Sequence, residues 1–370
     1  MASFSLKTLG GALVAQIGAA KMTTAEYFYG KERPLVIAHR GAFGHAPEES
    51  LASFVDAYYG GADFLEMDLQ VSKDGHLMVQ HDSVLNDTTN IYEYGGRWED
   101  LQRSDGRWYV EDFTLAQLKM LRRFQRYQTF RSPMLNDRYE LLTMTEVIEN
   151  IMMIRDDGPR VENKETNVGL YIELKDYDDF ITKGWNTAQM LFDVLESHGI
   201  SNIADATANP MPIIIQSFEK NGLVMMSTLT DLPLLQLCHS SGAIYDFDDI
   251  ATYAHGVGVP SDWIMNSLSM TSWLMERGVN FLNVGEDEEY SKFITQMHDL
   301  ELAVHPYTVQ DDKLKYTSKV YDETELYINK GVDGLFVEFP HTQYVLFQHF
   351  GTKANFPSAK IEEVPIDFLN

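Results

Sequence analysis

The chain has 370 residues, enough for two average domains or one large α/β barrel. Hydrophobic residues make up 44% and charged residues 23%, which excludes a disordered or fibrous chain, and no window holds eighteen uninterrupted apolar residues, so no spanning helix and no stable membrane insertion are expected. A formal charge of −26 sets the surface against nucleic acid and anionic lipid, so an anionic substrate would need cations gathered at its site.

Residues 1–32 read as an N-terminal tail or as a signal segment. Lys7 precedes a mild apolar run, 8–20, that closes on Gly18-Ala19-Ala20, the layout of a secretory leader with a small-residue cleavage site. A leader would make the protein secreted or periplasmic; without one it is expected to be soluble and intracellular. Asn86-Asp87-Thr88 is the one glycosylation sequon. Cys238 is the sole cysteine, which excludes an intramolecular disulfide and a cysteine-based zinc site.

Short apolar runs at 35–38, 64–69, 77–80, 170–174, 213–216, 234–237, 302–305 and 334–337 read as strands, with 256–260 as a further candidate. Helical stretches fall between them, at 50–59, 115–123, 145–155, 185–198, 220–229, 267–277, 287–300 and 322–330. Gly60, Gly199, Gly278 and Gly331 stand just past four of these, where helices stop. Strands alternating with helices predict parallel pairing with crossovers, in a (β/α)8 TIM barrel over residues 33–350. A doubly wound open sheet is the alternative. The stretch at about 86–140, rich in Asp, Arg, Tyr and Trp, reads as a small insertion after the third strand, and 351–370 as a C-terminal tail.

Several of these strands end in side chains that carry chemistry. The first runs into His39-Arg40-Gly41, an imidazole and a fixed cation before a glycine turn. In the second, Glu66 and Asp68 stand two apart and so face the same side. Two inward carboxylates repel each other and resist burial, and a hard divalent ion held by oxygen ligands, Mg²⁺ or Ca²⁺, would relieve both costs. The third strand ends in His81-Asp82. In the fourth, Glu173 and Lys175 share a face, so Glu173 could complete a three-carboxylate metal site and Lys175 could hold an anion. In a barrel all four ends meet at one mouth. Each feature also has a plainer reading: a satisfied histidine, a solvated Glu-x-Asp face, a Lys175–Glu173 pair that does nothing more. The ordered set within residues 39–82 is far less expected by chance than any one part.

His39-Arg40-Gly41, Pro47-Glu48, Gly61-Ala62-Asp63, Glu66-x-Asp68, Lys73-Asp74-Gly75 and His81-Asp82 together resemble, in order, the signature of the glycerophosphodiester phosphodiesterases. The likeness continues through Asp112-Phe113-Thr114-Leu115, Glu173-x-Lys175, Gln216-x-Phe218, His305-Pro-Tyr307-Thr-Val309 and Gly331-Val-Asp-Gly334 to Pro340, and is strongest to the long, periplasmic bacterial type. The resemblance implies a TIM-barrel hydrolase that cleaves a small-molecule glycerophosphodiester to glycerol 3-phosphate and an alcohol. It implies metal ligands at Glu66, Asp68 and Glu173, an acid/base pair at His39 and His81, and phosphate binding at Arg40 and Lys175. It places a divalent metal in the site, calcium ahead of magnesium. Phe218, Tyr307 and Trp108 would wall the substrate pocket, unless they are ordinary packing. The resemblance leaves open which imidazole is the acid.

Three places depart from that pattern. Pro-Glu-Asn-Thr is here Pro47-Glu48-Glu49-Ser50, and Glu49 is expected to add a negative charge near the mouth and weaken anion binding. An arginine common after His-Asp is replaced by Asp87, in Asp87-Thr88-Thr89, and a Trp-Thr-Val-Asn stretch reads Tyr307-Thr-Val-Gln310. None removes a metal or acid/base position. There is no G-x-S-x-G, phosphate-binding loop, H-E-x-x-H or strand-borne G-x-G-x-x-G, and the acidic run 286–289 lacks calcium-loop spacing. Two other functions compete: a phospholipase D-type enzyme of the same barrel family acting on lysophospholipids or sphingomyelin, and a non-catalytic barrel that only binds phosphodiesters.

Overall fold

Nine strands form one sheet: β1 (Leu35–Ala38), β2 (Phe64–Val71), β3 (Leu77–Val79), β4 (Gly169–Leu174), β5 (Ile213–Ser217), β6 (Leu234–Leu237), β7 (Gly256–Pro260), β8 (Ala303–Tyr307) and β9 (Gly334–Val337). A computed structural model describes residues 33–158, 168–209, 211–239, 245–265 and 292–350. The tail or signal at 1–32, the helix at 267–277, the acidic run at 286–289 and the tail at 351–370 lie outside the described residues.

The order is β8-β7-β6-β5-β4-β2-β1-β9, all parallel, with β3 set antiparallel beside β2. The two ends of this path meet: the Asp333 amide donates to the Val304 carbonyl at 3.0 Å, and Val309 bridges to Val337. The result is a nearly closed barrel of eight parallel strands. Among the described residues, the helices of eight residues or more are α1 (Leu51–Tyr59), α2 (Met144–Asp157), α3 (Thr187–Ser197), α4 (Lys220–Leu229), α5 (Lys292–Asp299), α6 (Val320–Asn329) and α7 (Pro340–Phe350). Among the described residues, no helix is long and apolar enough to cross a membrane.

Two sequence expectations are corrected here. The run at 77–80 is no barrel stave: it is the return arm of a hairpin with β2, and 256–260 supplies the eighth parallel strand instead. The helix expected at 115–123 stops after one turn, at Leu118. Beyond it the Arg122 amide donates to Asn90 Oδ1 at 2.8 Å and the Arg123 amide to the Tyr139 carbonyl at 2.8 Å. Those bonds take the backbone donors that a continuing helix would need.

Every strand is buried along its whole length except at Tyr307, as parallel strands covered by helices on one side and packed barrel on the other must be. The period of two sorts the residues. Val36, Ala38, Leu65, Met67, Leu170 and Ile172 pack outward under the helices. Leu35, Ile37, Phe64, Tyr171, Ile214, Leu235 and Phe336 fill the barrel interior. Continuing the inward rows toward the strands' C-terminal ends changes the character of five of them: Ile37 leads to His39, Phe64 to Glu66 and then Asp68, Tyr171 to Glu173, Ile214 to Gln216, and Phe336 to Glu338, while Leu235 leads to the apolar Leu237. The barrel floor is therefore apolar and its mouth ionisable.

The chain between β3 and α2 closes around its own small core, which includes Met78, Ile91, Trp98, Trp108, Phe113 and Leu121. Trp108 is buried there, its indole donating to the Trp98 carbonyl at 2.9 Å, so it packs this segment and does not wall the mouth. The β2–β3 turn is fixed by Gly75 at φ +83°, where an added Cβ would lie 2.7 Å from the Trp185 ring. Gly75→Ala should destabilise the fold by at least ~1–2 kcal/mol, the cost of left-handed backbone for an L-residue, before any ring clash is counted. Urea unfolding measures this; an unchanged midpoint would show that the hairpin tolerates a side chain here.

Candidate active site

Register brings the acidic residues together. Asp68 of β2 lies opposite Glu173 of β4, and Glu173 opposite Gln216 of β5. Oxygens of Glu66, Asp68 and Glu173 all fall within 4.8 Å of one another, and all three residues are buried. Each has a different environment. Glu66 accepts from the Arg40 amide at 2.7 Å and from Gln216 Nε2 at 3.1 Å. Glu173 accepts from Lys175 Nζ at 2.7 Å. Neither Asp68 oxygen receives a well-aligned hydrogen bond, although Lys175 Nζ stands 3.1 Å from Oδ1 and Arg40 Nε 3.4 Å from Oδ2.

The ionisation of this trio follows from the crowding. Burial, with Asp68 and Glu173 adding repulsion, holds Glu66 well above the usual carboxylate range. Burial and the nearby Asp68 outweigh Lys175 and push Glu173 up to about 8. Burial opposes charge on Asp68 as well, but Lys175, His81 and Arg40 hold it well below its ordinary value. One carboxylate is thus stably charged and two resist charging. Three buried carboxylates with two of one neighbour's oxygens unbonded fit a hard cation.

Two imidazoles flank the trio, each backed by a carboxylate. His39 follows β1, and its Nδ1 lies 3.3 Å from Glu338 Oε1. Glu338 is held in turn by Gln310 Nε2, 3.0 Å from both its oxygens, and by Arg131. His81 follows β3, and its Nδ1 meets Asp82 Oδ1 at 2.5 Å. Burial opposes charge on Glu338 and Asp82, but the imidazole bonds and neighbouring arginines win and lower both to about 2. These carboxylates keep the ring proton on Nδ1, which leaves Nε2 for chemistry.

Arg40 sits at φ +55°, a left-handed turn directly after the strand. The turn sends its amide to Glu66 and its guanidinium to Glu48, with Nη1 to Oε1 at 2.9 Å. Ser53 at the start of α1 donates to the Arg40 carbonyl at 3.0 Å and pins the turn from outside. Glu49, also at positive φ, accepts from the Asp68 amide at 3.0 Å and the His81 amide at 2.8 Å. Its carboxyl therefore staples the ends of β2 and β3 together. Burial and Asp68 hold it well above the usual range, so the negative charge that the sequence reading expects near the mouth is disfavoured there.

Apart from Trp108, every residue singled out for the site lies at this end of the barrel. Lys175 is engaged with Glu173 and Asp68. Phe218, after β5, and Tyr307, ending β8, are half-buried with ring centroids 6.3 Å apart. Tyr307 donates to the Cys238 carbonyl at 2.6 Å, and His239 stacks on Phe218 at 4.2 Å. Sequence reasoning passed over Glu338, Arg126, Arg131, Gln216 as a Glu66 partner, and His239. Glu338 had a signal, two residues past Phe336 on an inward row; the arginines come from the inserted segment and had none.

Burial, followed by Arg40, pushes the His81 ring down to about 4 against the pull of Asp68 and Asp82, and His39 is lowered for the same two reasons. Between the ordinary value of 6.5 and about 4, the unfolded chain binds more protons at His81 than the folded one. Stability from this ring is therefore present above pH 6.5 and is lost as pH falls through that window. Ring NMR should show the His81 midpoint near pH 4; a midpoint at 6.5 or above would mean that Asp82 dominates.

The pattern of the glycerophosphoryl diester phosphodiesterase family matches residues 39–342. A glycerophosphodiester phosphodiesterase of Arabidopsis thaliana is 31% identical over 345 residues, covering 83% of this chain and 84% of that relative. One of Haemophilus influenzae is 27% identical over 343 residues, covering 84% and 89%. Among solved structures, an Oleispira antarctica phosphodiesterase in complex with the product sn-glycerol-3-phosphate shares the fold at a TM-score of 0.55 and 20% identity, covering 85% of this chain and 96% of that one. A glycerophosphodiester phosphodiesterase from Agrobacterium tumefaciens does so at 0.52 and 16%, covering 84% and 99%. With its family pattern spanning both histidines and all three barrel carboxylates, the chain belongs to the glycerophosphoryl diester phosphodiesterase family.

Proposed function

We propose that the protein hydrolyses glycerophosphodiesters to glycerol 3-phosphate and an alcohol, with a divalent cation held by Glu66, Asp68 and Glu173. The observation that carries this reading is the buried carboxylate trio flanked by two imidazole–carboxylate pairs. The Arabidopsis and Haemophilus relatives bear the name of this activity.

A phosphodiester resists attack because its own oxygens are negative. Arg40 offers a charged fork suited to two phosphate oxygens, and Glu48 and Asp68 keep it charged despite burial. Lys175 adds a second cation at the same mouth. When bound, the cation would neutralise phosphate charge most strongly as it builds in the transition state.

His39 and His81 move the protons. One neutral ring takes the proton from the attacking oxygen, either water or the glycerol 2-hydroxyl. The new P–O bond forms as the bond to the leaving alcohol breaks, and the other ring, protonated, gives its proton to the departing oxygen. Where the 2-hydroxyl attacks, the product of this step is a cyclic glycerol phosphate, and a water molecule, deprotonated by the ring now neutral, opens it at phosphorus while the other ring returns a proton to the 2-oxygen, giving glycerol 3-phosphate. Both rings lose their proton easily in the ligand-free site, and the incoming diester's negative charge favours the protonated form of the nearer one. Each role is worth ~10²–10⁴ in rate. Phe218, Tyr307 and His239 line the side of the mouth where β5, β6 and β8 end, and would meet the substrate there.

Release of glycerol 3-phosphate from glycerophosphocholine tests the reading, with lysophosphatidylcholine alongside. Choline released from the lysolipid alone would move the protein to the phospholipase D-type reaction. His39→Ala and His81→Ala should each fold and lose ~10²–10⁴ in kcat; full turnover in both would overturn the acid/base assignment. Exhaustive chelation should abolish activity, with calcium restoring it and magnesium next in order. Undiminished activity in metal-free protein would remove the cation from the mechanism.

A further inference from the structure

We propose that Arg126, contributed by the inserted segment, is a positioning residue that locks the Arg40 guanidinium and the His81 imidazole into one unit. The inference rests on the diesterase reading above and adds to it a residue that touches neither substrate nor metal.

The geometry is a continuous chain of charged contacts. His81 Nδ1 meets Asp82 Oδ1. Asp82 Oδ2 accepts from Arg126 Nη2 at 3.0 Å. Arg126 then grips Glu48 with two prongs, Nε to Oε2 at 2.5 Å and Nη2 to Oε1 at 2.6 Å. Glu48 Oε1 accepts at the same time from Arg40 Nη1 at 2.9 Å. Glu48 is fully buried, so its charge must be matched from within the protein. Arg40 alone would match it at the expense of its own field toward a phosphate. With Arg126 on the other side, Glu48 shares its charge between two guanidiniums and Arg40 keeps positive potential to spare. Asp82 gains a second partner likewise, which fixes its carboxylate plane and hence the ring bonded to it.

A planar fork is needed. A lysine ammonium is a point charge that cannot hold both Glu48 oxygens and Asp82 in one plane. Asp87, just after His81-Asp82, offers no cation, and the guanidinium that meets Asp82 arrives from a segment 44 residues beyond it. Arg126 also lines an open cleft of about 520 Å³, together with Asn86, Asp87, Tyr92, Glu93 and Tyr127. A small solute can therefore reach the position that its side chain fills.

Kinetics of the full-length protein on glycerophosphocholine test this, with melting temperatures measured on the same samples. Displacing the site by a fraction of a bond length in Arg126→Ala should lower kcat and kcat/KM together by about 10²-fold, with KM little changed. Millimolar guanidinium should restore at least about a tenth of the lost rate, ammonium should not, and Arg126→Lys should keep no more than about a tenth of wild-type kcat. If Arg126 only fastens the inserted segment, the melting temperature falls while kcat stays, or activity is lost without guanidinium rescue, and either result overturns the proposal. An inactive wild-type protein overturns the diesterase reading and this inference with it; an active wild type beside an unimpaired Arg126→Ala overturns this inference alone.

Discussion

Burying three carboxylates within 4.8 Å of one another is the constraint on which the rest of this structure depends. Such a group is unstable by itself: each charge loses its water, and each repels the other two. The protein meets the cost in graded fashion. Asp68 stays charged against Lys175 and Arg40, while Glu66 and Glu173 are pushed toward the neutral form. The gradation leaves a charged Asp68 at the centre with no well-aligned hydrogen bond to either oxygen, an arrangement that could hold a cation. A trio fully matched by its own lysines and arginines would be a closed salt-bridge network with nothing left to bind.

A second ring of ionised groups surrounds the first. Glu48, Asp82 and Glu338 orient Arg40, His81 and His39 respectively, and Arg126 and Arg131 neutralise them from behind. The arrangement answers the problem posed by a net charge of −26. Far from the mouth the surface repels anions. At the mouth, Arg40, Arg123, Arg126, Arg131 and Lys175 are concentrated on partly or fully buried positions, where charge is poorly screened and acts at short range.

Legibility in the sequence followed the length scale of the interaction. His39, Glu66, Asp68 and Glu173 could be found because a strand's period of two is local: an apolar row that turns ionisable at its end announces which face and which end carry chemistry. The barrel itself was legible for the same reason. What failed was whatever depended on partners distant in sequence. The run at 77–80 has the composition of a stave, and only its pairing beside β2 shows it to be a hairpin arm. Glu49 reads as an intrusive charge until the Asp68 and His81 amides are seen to claim both its oxygens. Trp108 reads as pocket wall or as ordinary packing, the commoner role of such an aromatic, and its burial and its indole bond to Trp98 place it in the core of the inserted segment.

The arginines expose a division of labour between the two parts of the chain. The barrel supplies every group proposed to meet the phosphate or the cation, because strand ends are stiff and share one mouth. The inserted segment supplies charges that face the barrel's buried acids instead. Arg123 contacts the end of β3 and Glu49, Arg126 contacts Glu48 and Asp82, and Arg131 contacts Glu338 and Asp312. Three cations within nine residues of one another thus reach both imidazole–carboxylate pairs and the carboxylate behind Arg40. A segment anchored in this way cannot shift without disturbing the carboxylates that hold both imidazoles and the Arg40 guanidinium. The placement of the insertion and the geometry of the barrel mouth are therefore one structural variable.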